Sequence, residues 1–479
     1  MLHRIPGGFT TEARNPRKVT EEDKLKTISR TLHVMASALA VLACLSCATP
    51  PAAAPSRHLT LARDAARWLR ATAIVEGDTT AWRAVPDSKA APRADLYYGT
   101  SGVALFFLEL YKATGDEADR AMAERGARWL IARAKADGDG FCWEVPDDDG
   151  KIVHDPGLYT GASGIGAAFL DLHRHLKVDA YRRYAAGAAA WVAARPIGEW
   201  KKYDIIYGAA GAALFLVRAS RELGEPRFLQ AAVRLGEHLI ACAMREKEGI
   251  RWRMSETWER LYPNFSHGTS GIAYALATLH AATKDERFLA AARQAADWLA
   301  AHRLKTDAGA VWHRHEPDAT GLYYVGWCHG PAGTARLFRE LGRVTGDRAW
   351  GRWVDDCARW VMTCGAPEKP LSGFWNVSQC CGSAGVGDFL ADMYVLTRDE
   401  KYRQRAEAYV EDIVRRASPG EPGLKWVQAE NRVSPKEVFA QAGYAQGAAG
   451  IGLFFLKMHA IGGGMPGRRL LVLPDSPFE

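Results

Sequence analysis

The sequence lacks two features that would assign a function at once, a clustered basic surface and a long apolar segment. Its 62 Lys and Arg residues exceed the 55 Asp and Glu residues by only seven, and residues 1–46 account for +3 of that excess. Recognition of nucleic acid needs clustered basic patches, so we expect no nucleic-acid partner. The most apolar N-terminal stretch, residues 32–46, is shorter than the roughly 20 residues of a transmembrane helix.

That apolar stretch reads LHVMASALAVLACLS and follows a basic segment, which is the pattern of an export signal. Cys47 and the Ala/Pro-rich residues 48–58 resemble a bacterial lipoprotein processing site followed by a tether. We therefore predict that residues 1–47 are a polar leader plus signal, and that the protein is exported to the periplasm or anchored to a membrane through a lipidated Cys47. Cleavage without lipidation is the alternative, and a cytoplasmic location follows if the segment is not used.

From residue 97 onward, a Gly-x-x-Gly turn that leads directly into an apolar segment recurs seven times. The first glycines of these turns are Gly99, Gly161, Gly208, Gly268, Gly330, Gly382 and Gly447. Self-similarity at spacings of 47 to 65 residues indicates a repeat architecture. The segments after the turns are apolar nearly all round, which predicts buried inner helices.

A second helix in each unit is predicted from its own start signal. Aspartates that can cap helix N–H groups precede amphipathic segments, at Asp116, Asp285, Asp347 and Asp399. One inner and one outer helix per unit predict an all-α fold, a closed α/α toroid of seven helix pairs in a single domain at residues 59–460, followed by a tail at 461–479. The helix predicted at residues 59–69 has no partner and is expected to close the ring against the last repeat.

Tryptophans recur before the glycine turns, in short extended loops or hairpins, at Trp143, Trp252, Trp312, Trp375 and Trp426. Large aromatic side chains in such places either pack under the loops or line a substrate cleft. The sequence leaves both alternatives open.

Of the nine cysteines, seven lie outside the signal, and an odd number cannot pair fully within one chain. Cys242, Cys357 and Cys364 fall in helix-like apolar stretches and are predicted to be core residues. Cys142 receives no role.

The other three cysteines, Cys328, Cys380 and Cys381, each lie beside a glycine turn. Three thiolates in equivalent settings favour a zinc site whose fourth coordination position is open to substrate. The alternatives are burial as small apolar side chains or disulfide pairing in an exported protein.

Because each glycine turn precedes an inner helix, we expect the turns to gather at one mouth of the toroid. The positions directly before the first glycines then form a ring of Tyr98, Thr160, Tyr207, His267, His329, Cys381 and Gln446. Asp204, Cys328 and Cys380 lie within three residues of ring positions. This set of His, Cys and Asp residues in register predicts a metal or acid–base site.

The seven Gly-x-x-Gly helices, the Trp-Cys-x-Gly of the fifth unit and the Cys-x-Gly of the sixth resemble the lanthionine synthetase C-like cyclases over about residues 60–460. The resemblance implies a zinc-containing α/α toroid with Cys328, Cys380 and Cys381 as the ligands. Cys381 stands where many members of that family have histidine.

The resemblance also implies that His267 is the active-site histidine and that Asp204 is the acidic residue of the third unit. Two positions depart from the family pattern. Tyr324 stands where characterised cyclases often carry arginine, and His329 stands where tyrosine is common.

The activity implied is addition of a thiol to dehydroalanine or dehydrobutyrine in a peptide, which forms a thioether. Zinc lowers the pKa of a bound thiol. In this scheme His267 protonates the enolate carbon, Asp204 orients a partner or accepts the thiol proton, and His329 assists. The substrate is a peptide or a small thiol, and the dehydrated residue comes from elsewhere because no dehydratase or kinase-like region accompanies the toroid.

Two other functions stay open at this point. Glycosidases and sugar epimerases also use α/α barrels, but they need paired carboxylates or histidines in an aromatic cleft, and Asp204 is the one obvious carboxylate near the ring. The third hypothesis is a lipid-tethered binding protein in which zinc is structural or lost. The sequence does not give the oligomeric state.

Overall fold

The computed structural model describes residues 20–45, 56–147, 150–316, 321–369, 374–418, 422–465 and 473–478. The chain divides into two compact units, Met1–Pro55 and Ser56–Glu479. In the first unit, helix α1 spans Glu21–Leu45, whereas the predicted lipidation site Cys47 lies outside the described residues. Within the described ranges, no helix is both long enough and apolar enough to cross a membrane.

The second unit is helical apart from short hairpins. In chain order its helices are α2 (Arg57–Ala71), α3 (Thr100–Thr114), α4 (Glu117–Arg133), α5 (Ala162–Leu176), α6 (Asp179–Ala194), α7 (Ala209–Leu223), α8 (Pro226–Ala241), α9 (Thr269–Thr283), α10 (Glu286–His302), α11 (Pro331–Thr345), α12 (Ala349–Thr363), α13 (Ser383–Thr397), α14 (Glu400–Arg416) and α15 (Ala448–His459). A 3₁₀ turn at Ile197–Glu199 and a π turn at Ala460–Gly464 complete the helical elements that the structure describes.

The described strands form antiparallel two-stranded hairpins; all but one follow an outer helix, and the remaining one follows another hairpin. Their pairs are β1 (Ile74–Glu76) with β2 (Thr79–Ala81), β3 (Lys135–Asp137) with β4 (Gly140–Cys142), β5 (Glu144–Pro146) with β6 (Ile152–His154), β7 (Met244–Glu246) with β8 (Gly249–Arg251), β9 (Leu304–Thr306) with β10 (Gly309–Val311), and β11 (Val427–Ala429) with β12 (Val438–Ala440).

The odd-numbered helices from α3 to α15 form the inner ring, and each contacts the next in chain order. Helix α15 contacts α3, which closes this ring, and α2 packs against α15 to complete the last helix pair. The predicted toroid of seven pairs is therefore confirmed, including the role of the helix at residues 59–69. Inner helices are buried over most of their length, as in α3 from Thr100 to Leu110, because apolar residues surround them on all sides.

The predicted helix starts are also confirmed. Asp116, Asp285 and Asp399 are N-cap residues whose carboxylates accept a hydrogen bond from the second residue of the following helix. Asp347 also caps its helix, although it lies one residue before the N-cap position. Its Oδ1 accepts a hydrogen bond from the N–H of Ala349, the first residue of α12, at 2.8 Å.

Buried tryptophans fix five of the six described hairpins to the preceding outer helix. In five repeats an indole N–H donates to a backbone carbonyl thirteen residues earlier, from Trp82 to Leu69, Trp143 to Leu130, Trp252 to Leu239, Trp312 to Leu299 and Trp426 to Ile413. These residues pack under the hairpins rather than lining a cleft. Trp375 differs, because its indole N–H donates to Ser383 Oγ at 2.7 Å.

The core cysteines follow the prediction in two cases out of three. Cys357 and Cys364 are buried, whereas Cys242 is half-buried, with its sulfur 3.8 Å from a ring nitrogen of His238. Cys142, which received no role, is buried at the end of β4.

The last described segment, residues 473–478, packs against the inner helices. Asp475 is buried, and its carboxylate accepts hydrogen bonds from Tyr159 Oη and Trp327 Nε1, both at 3.1 Å. The Arg336 guanidinium donates to the Asp475 carbonyl at 3.0 Å. This segment thereby contacts Trp327, the residue directly before Cys328.

Candidate active site and metal centre

Backbone hydrogen bonds join the seven glycine turns into a closed circuit. The N–H to C=O bonds run from Tyr97 to Tyr159, Tyr159 to Ile206, Ile205 to Ser266, Ser266 to Cys328, Cys328 to Cys380, Cys380 to Ala445 and Ala445 to Tyr97. Their N to O distances lie between 2.8 and 3.1 Å. Cys328 and Cys380 therefore occupy equivalent places in one backbone ring, which brings together side chains that are far apart in the sequence.

The three cysteines predicted as ligands meet at this ring. Cys381 Sγ lies 3.3 Å from both Cys328 Sγ and Cys380 Sγ, and all three sulfurs lie within 4.8 Å of one another. They are free thiols, so the disulfide alternative is not realised. Three thiolates at about 2.3 Å from a tetrahedral zinc ion lie about 3.8 Å apart, so this donor set and its spacing fit a zinc ion.

The three thiols differ in how readily they ionise. Hydrogen bonds from the thiols of Cys328 and Cys380 hold the pKa of Cys381 well below its usual range. The Cys328 and Cys381 thiols, together with burial, raise the pKa of Cys380 well above its usual range. The cluster thus accepts a first negative charge readily, and loss of further protons calls for a cation in its centre.

Neighbouring polar groups hold the sulfurs in place. Tyr97 Oη donates to Cys380 Sγ at 3.3 Å, and Gln446 Nε2 donates to Tyr97 Oη at 2.9 Å. The backbone N–H of Cys381 donates to Ser378 Oγ at 3.1 Å. We had not predicted Tyr97, although its backbone position in the circuit matches that of Cys328 and Cys380.

His267 and Asp204 form a hydrogen-bonded pair. His267 Nδ1 lies 2.5 Å from Asp204 Oδ2, while Asp204 Oδ1 accepts the backbone N–H of Tyr207 at 2.9 Å. Asp204 is fully buried, and the Tyr207 ring stacks on His267 at 5.8 Å. Because the carboxylate engages Nδ1, the other ring nitrogen of His267 is left for a ligand.

His329 lies beside this pair as a buried neutral ring. Its centroid is 5.6 Å from that of His267 and 5.1 Å from that of Tyr262. Burial, and then the charges of His267 and Arg314, keep the pKa of His329 well below its usual value. Its Nδ1 is buried and has no hydrogen-bond partner in the described part of the chain.

Two charged residues that sequence reasoning missed, Arg314 and Glu430, line the same cavity as the cysteines. The Arg314 guanidinium lies over the ring of Tyr324, 5.6 Å from its centroid. The position where the family often has arginine therefore carries an aromatic ring here, and the guanidinium of Arg314 comes from ten residues earlier in the same connection between β10 and α11. Glu430 Oε1 accepts a hydrogen bond from Tyr98 Oη at 2.7 Å.

These groups enclose a cavity of about 150 Å³. The described residues that line it are Tyr97, His267, Arg314, Tyr324, Cys328, His329, Phe374, Cys380, Cys381, Glu430, Asn431 and Gln446. All the predicted site residues lie at this wall except Asp204, which acts from behind His267. The ring positions Tyr98, Thr160 and Tyr207 do not line it.

Comparison with known proteins places this arrangement in context. The sequence model of the family "Lanthionine synthetase C-like protein" matches residues 91–461. The fold is similar to the solved structure of nisin cyclase, with a TM-score of 0.58 and 14% identity over 84% of this chain and 93% of that chain. A search of curated proteins finds no match.

Two sugar-processing proteins show a weaker likeness of fold. A sugar epimerase from a ruminal bacterium gives a TM-score of 0.49 with 13% identity, over 74% of this chain and 98% of that chain. An α-1,6-mannanase from Salegentibacter sp. HEL1_6 gives a TM-score of 0.44 with 10% identity, over 84% of this chain and 99% of that chain.

Proposed function

Because the chain belongs to the lanthionine synthetase C-like family, we propose that it is a zinc enzyme that adds a thiol to dehydroalanine or dehydrobutyrine in a peptide and so forms a thioether. The observation that carries this proposal is the meeting of three free thiols with a His–Asp pair at one cavity. A metal-bound thiol and an adjacent proton donor are the two groups that such an addition needs.

Cys328, Cys380 and Cys381 would hold the zinc ion, and the fourth position would take the substrate sulfur. When bound, zinc supplies the positive charge that lowers the pKa of a substrate thiol. Three thiolates bring more negative charge than a set with a histidine, which leaves the substrate sulfur electron-rich and favours addition over hydrolysis. The Tyr97 hydroxyl, donating to Cys380 Sγ, fixes the orientation of that ligand.

His267 would act as the general acid. The substrate sulfur bonds to the β-carbon of the dehydroamino acid, the double bond shifts its electron pair to the α-carbon, and that carbon takes a proton from His267. Asp204, bonded to Nδ1, is a positioning residue that directs the other ring nitrogen toward the cavity. His329 assists as a neutral ring with an unused buried Nδ1.

We also propose that residues 1–47 direct export and that Cys47 is a lipid anchor for the toroid, which would begin at about residue 59. The thiol and the dehydrated peptide would then meet outside the cytoplasm. Globomycin treatment of expressing bacteria, followed by mass measurement of the mature N-terminus, tests this step: an unmodified Cys47 in untreated cells would contradict it.

The competing carbohydrate hypothesis finds little support in the cavity. Glycosidases use two carboxyl groups that flank the scissile bond. Among the described residues that line the cavity, Glu430 is the only one with a carboxyl group, and Asp204 is engaged by His267.

The test is thioether formation on a peptide with one dehydroalanine, with L-cysteine as the thiol and the adduct mass followed by mass spectrometry. We expect the zinc-loaded protein to exceed the buffer rate, and a Cys380→Ala Cys381→Ala variant to fall to that rate. Cys242→Ala, which removes a thiol that does not line the cavity, is the matched control and should keep the parent rate. Equal rates for the parent and the double variant would contradict the proposal.

A further inference from the structure

Arg314 and Glu430 bring opposite charges to the cavity that the three cysteines line. Neither residue forms a salt bridge with a residue that the structure describes. An unpaired cation and an unpaired anion at one small cavity need a ligand or solvent to satisfy them.

The Arg314 guanidinium is fixed in position but keeps an unused hydrogen-bond donor. It lies over two aromatic rings, 5.8 Å from the centroid of Tyr262 and 5.6 Å from that of Tyr324, and its Nη1 is 3.4 Å from His315 Nδ1. Its Nε is buried and has no acceptor in the described part of the chain. Buried donors are normally satisfied, and a carboxylate is the acceptor that a planar guanidinium binds best.

Glu430 is fixed in a similar way. Its Oε1 accepts from Tyr98 Oη at 2.7 Å and its Oε2 accepts from Gln441 Nε2 at 3.0 Å. A carboxylate has about four acceptor sites, so these two bonds orient the group and leave capacity for an ammonium ion.

We infer that the thiol substrate of this site is a small zwitterionic amino thiol, of which cysteine is the simplest, with its carboxylate on Arg314 and its ammonium on Glu430. The inference rests on the proposed function, because it places the substrate sulfur at the cysteine cluster. A cavity of about 150 Å³ suits a molecule of that size. In the reaction the amino thiol gives its S–H proton to solvent, its sulfur bonds to the β-carbon, and the α-carbon takes one proton from His267, which regains it from solvent, so no oxidant or reductant is needed.

The alternative substrate is a cysteine inside a peptide, whose amine and carboxyl groups are neutral amides. The two substrates are separated by binding to the zinc-loaded, full-length protein, measured by calorimetry with three thiols. L-Cysteine carries both charges, cysteine methyl ester lacks the carboxylate, and N-acetylcysteine lacks the ammonium. We expect L-cysteine to bind about tenfold more tightly than either analogue, because each loses one charge-assisted contact.

Substitutions of the two charged residues sharpen this test. Arg314→Gln should remove the preference for L-cysteine over the methyl ester and keep the preference over N-acetylcysteine, and Glu430→Gln should do the converse. The comparison between variants cancels the different thiol acidities of the three ligands. Arg245→Gln and Glu437→Gln, at exposed positions, are matched controls that should keep both preferences.

The outcomes also distinguish this inference from the proposed function. If the protein forms thioethers but binds the three thiols with equal affinity, or if Arg314→Gln weakens all three equally, the inference is overturned and the proposed function stands. If the zinc-loaded protein binds no thiol, both are overturned.

Discussion

Two cavities adjoin the ring of glycine turns, and Cys380 lines both of them. The larger, of about 370 Å³, is lined by residues of the inner helices and of the C-terminal segment. The smaller, of about 150 Å³, is lined by the turns and by the loops before them. The two differ most in whether their charged side chains form ion pairs.

In the larger cavity charged side chains pair with one another. Lys457 Nζ lies 3.0 Å from Asp388 Oδ1 and 2.6 Å from Asp392 Oδ1, and Asp475 accepts hydrogen bonds from Tyr159 and Trp327. In the smaller cavity neither Arg314 nor Glu430 forms a salt bridge with another residue that the structure describes. The absence of ion pairs, rather than volume, therefore distinguishes the cavity that we propose to be the active site.

The largest expected effect belongs to the smaller cavity. His267→Ala removes the proposed proton donor, and general acid catalysis contributes about 10²- to 10⁴-fold, so the rate of thioether formation should fall by that factor. Zinc content and thermal midpoint should stay unchanged. His154→Ala, at an exposed position of β6, is the control, and a His267→Ala variant with the parent rate would show that the proton comes from another group.

In the larger cavity, removal of a charge should affect stability instead. Lys457→Met leaves Asp388 and Asp392 without their counter-ion, and loss of one partner from a buried ion pair costs about 3 kcal/mol. Urea unfolding should show this decrease in the free energy of unfolding. Lys436→Met, at an exposed position, should unfold like the parent; equal stability of the two variants would show that water satisfies the two carboxylates.

A smaller loss of stability is expected at the C-terminal segment. Asp475→Ala leaves the hydroxyl of Tyr159 and the indole N–H of Trp327 without acceptors, at a cost of about 2 kcal/mol in unfolding free energy. Because Trp327 precedes Cys328, weaker zinc retention in a chelator titration should accompany this loss. If zinc retention stays at the parent level while stability falls, the segment supports the fold but not the metal site.

Counted per pH unit, the smallest effect is a pH dependence in the larger cavity. Burial raises the pKa of Asp392 to about 6, although Lys457 opposes this rise. Between about pH 4 and pH 6 the folded chain then holds a proton that the unfolded chain has lost, so the free energy of unfolding falls as the pH rises. Asp392→Asn should remove up to about 1.4 kcal/mol per pH unit of this slope. The exposed control Asp87→Asn should keep the slope of the parent. An unchanged slope in Asp392→Asn would show that another group causes the pH dependence.

The fold was predictable because its repeat rests on a steric requirement that is visible in the sequence. A Cβ on Gly333 or Gly385 would lie 1.9 Å from the carbonyl oxygen six residues earlier, which no side chain tolerates. The second glycine of the motif is therefore needed wherever a turn folds back onto its own loop. This glycine motif marks the start of the inner helices, and the aspartate caps mark the start of the outer helices.

The candidate site was predictable only where its residues follow the register of the turns. Cys328, Cys380, Cys381, His267 and His329 occupy or adjoin ring positions, and the same register would have identified Tyr97. Arg314 and Glu430 could not be predicted in this way. They follow β10 and β11 in loops without a repeating pattern, and only the three-dimensional fold brings them to the cysteines.

The central claim is that the three cysteines bind zinc. Elemental analysis of protein lacking residues 1–47, purified under reducing conditions, should give close to one zinc ion per chain, and the Cys380→Ala Cys381→Ala variant should give almost none while keeping its helical circular dichroism. Equal zinc in the two proteins, or no zinc in either, would contradict the account.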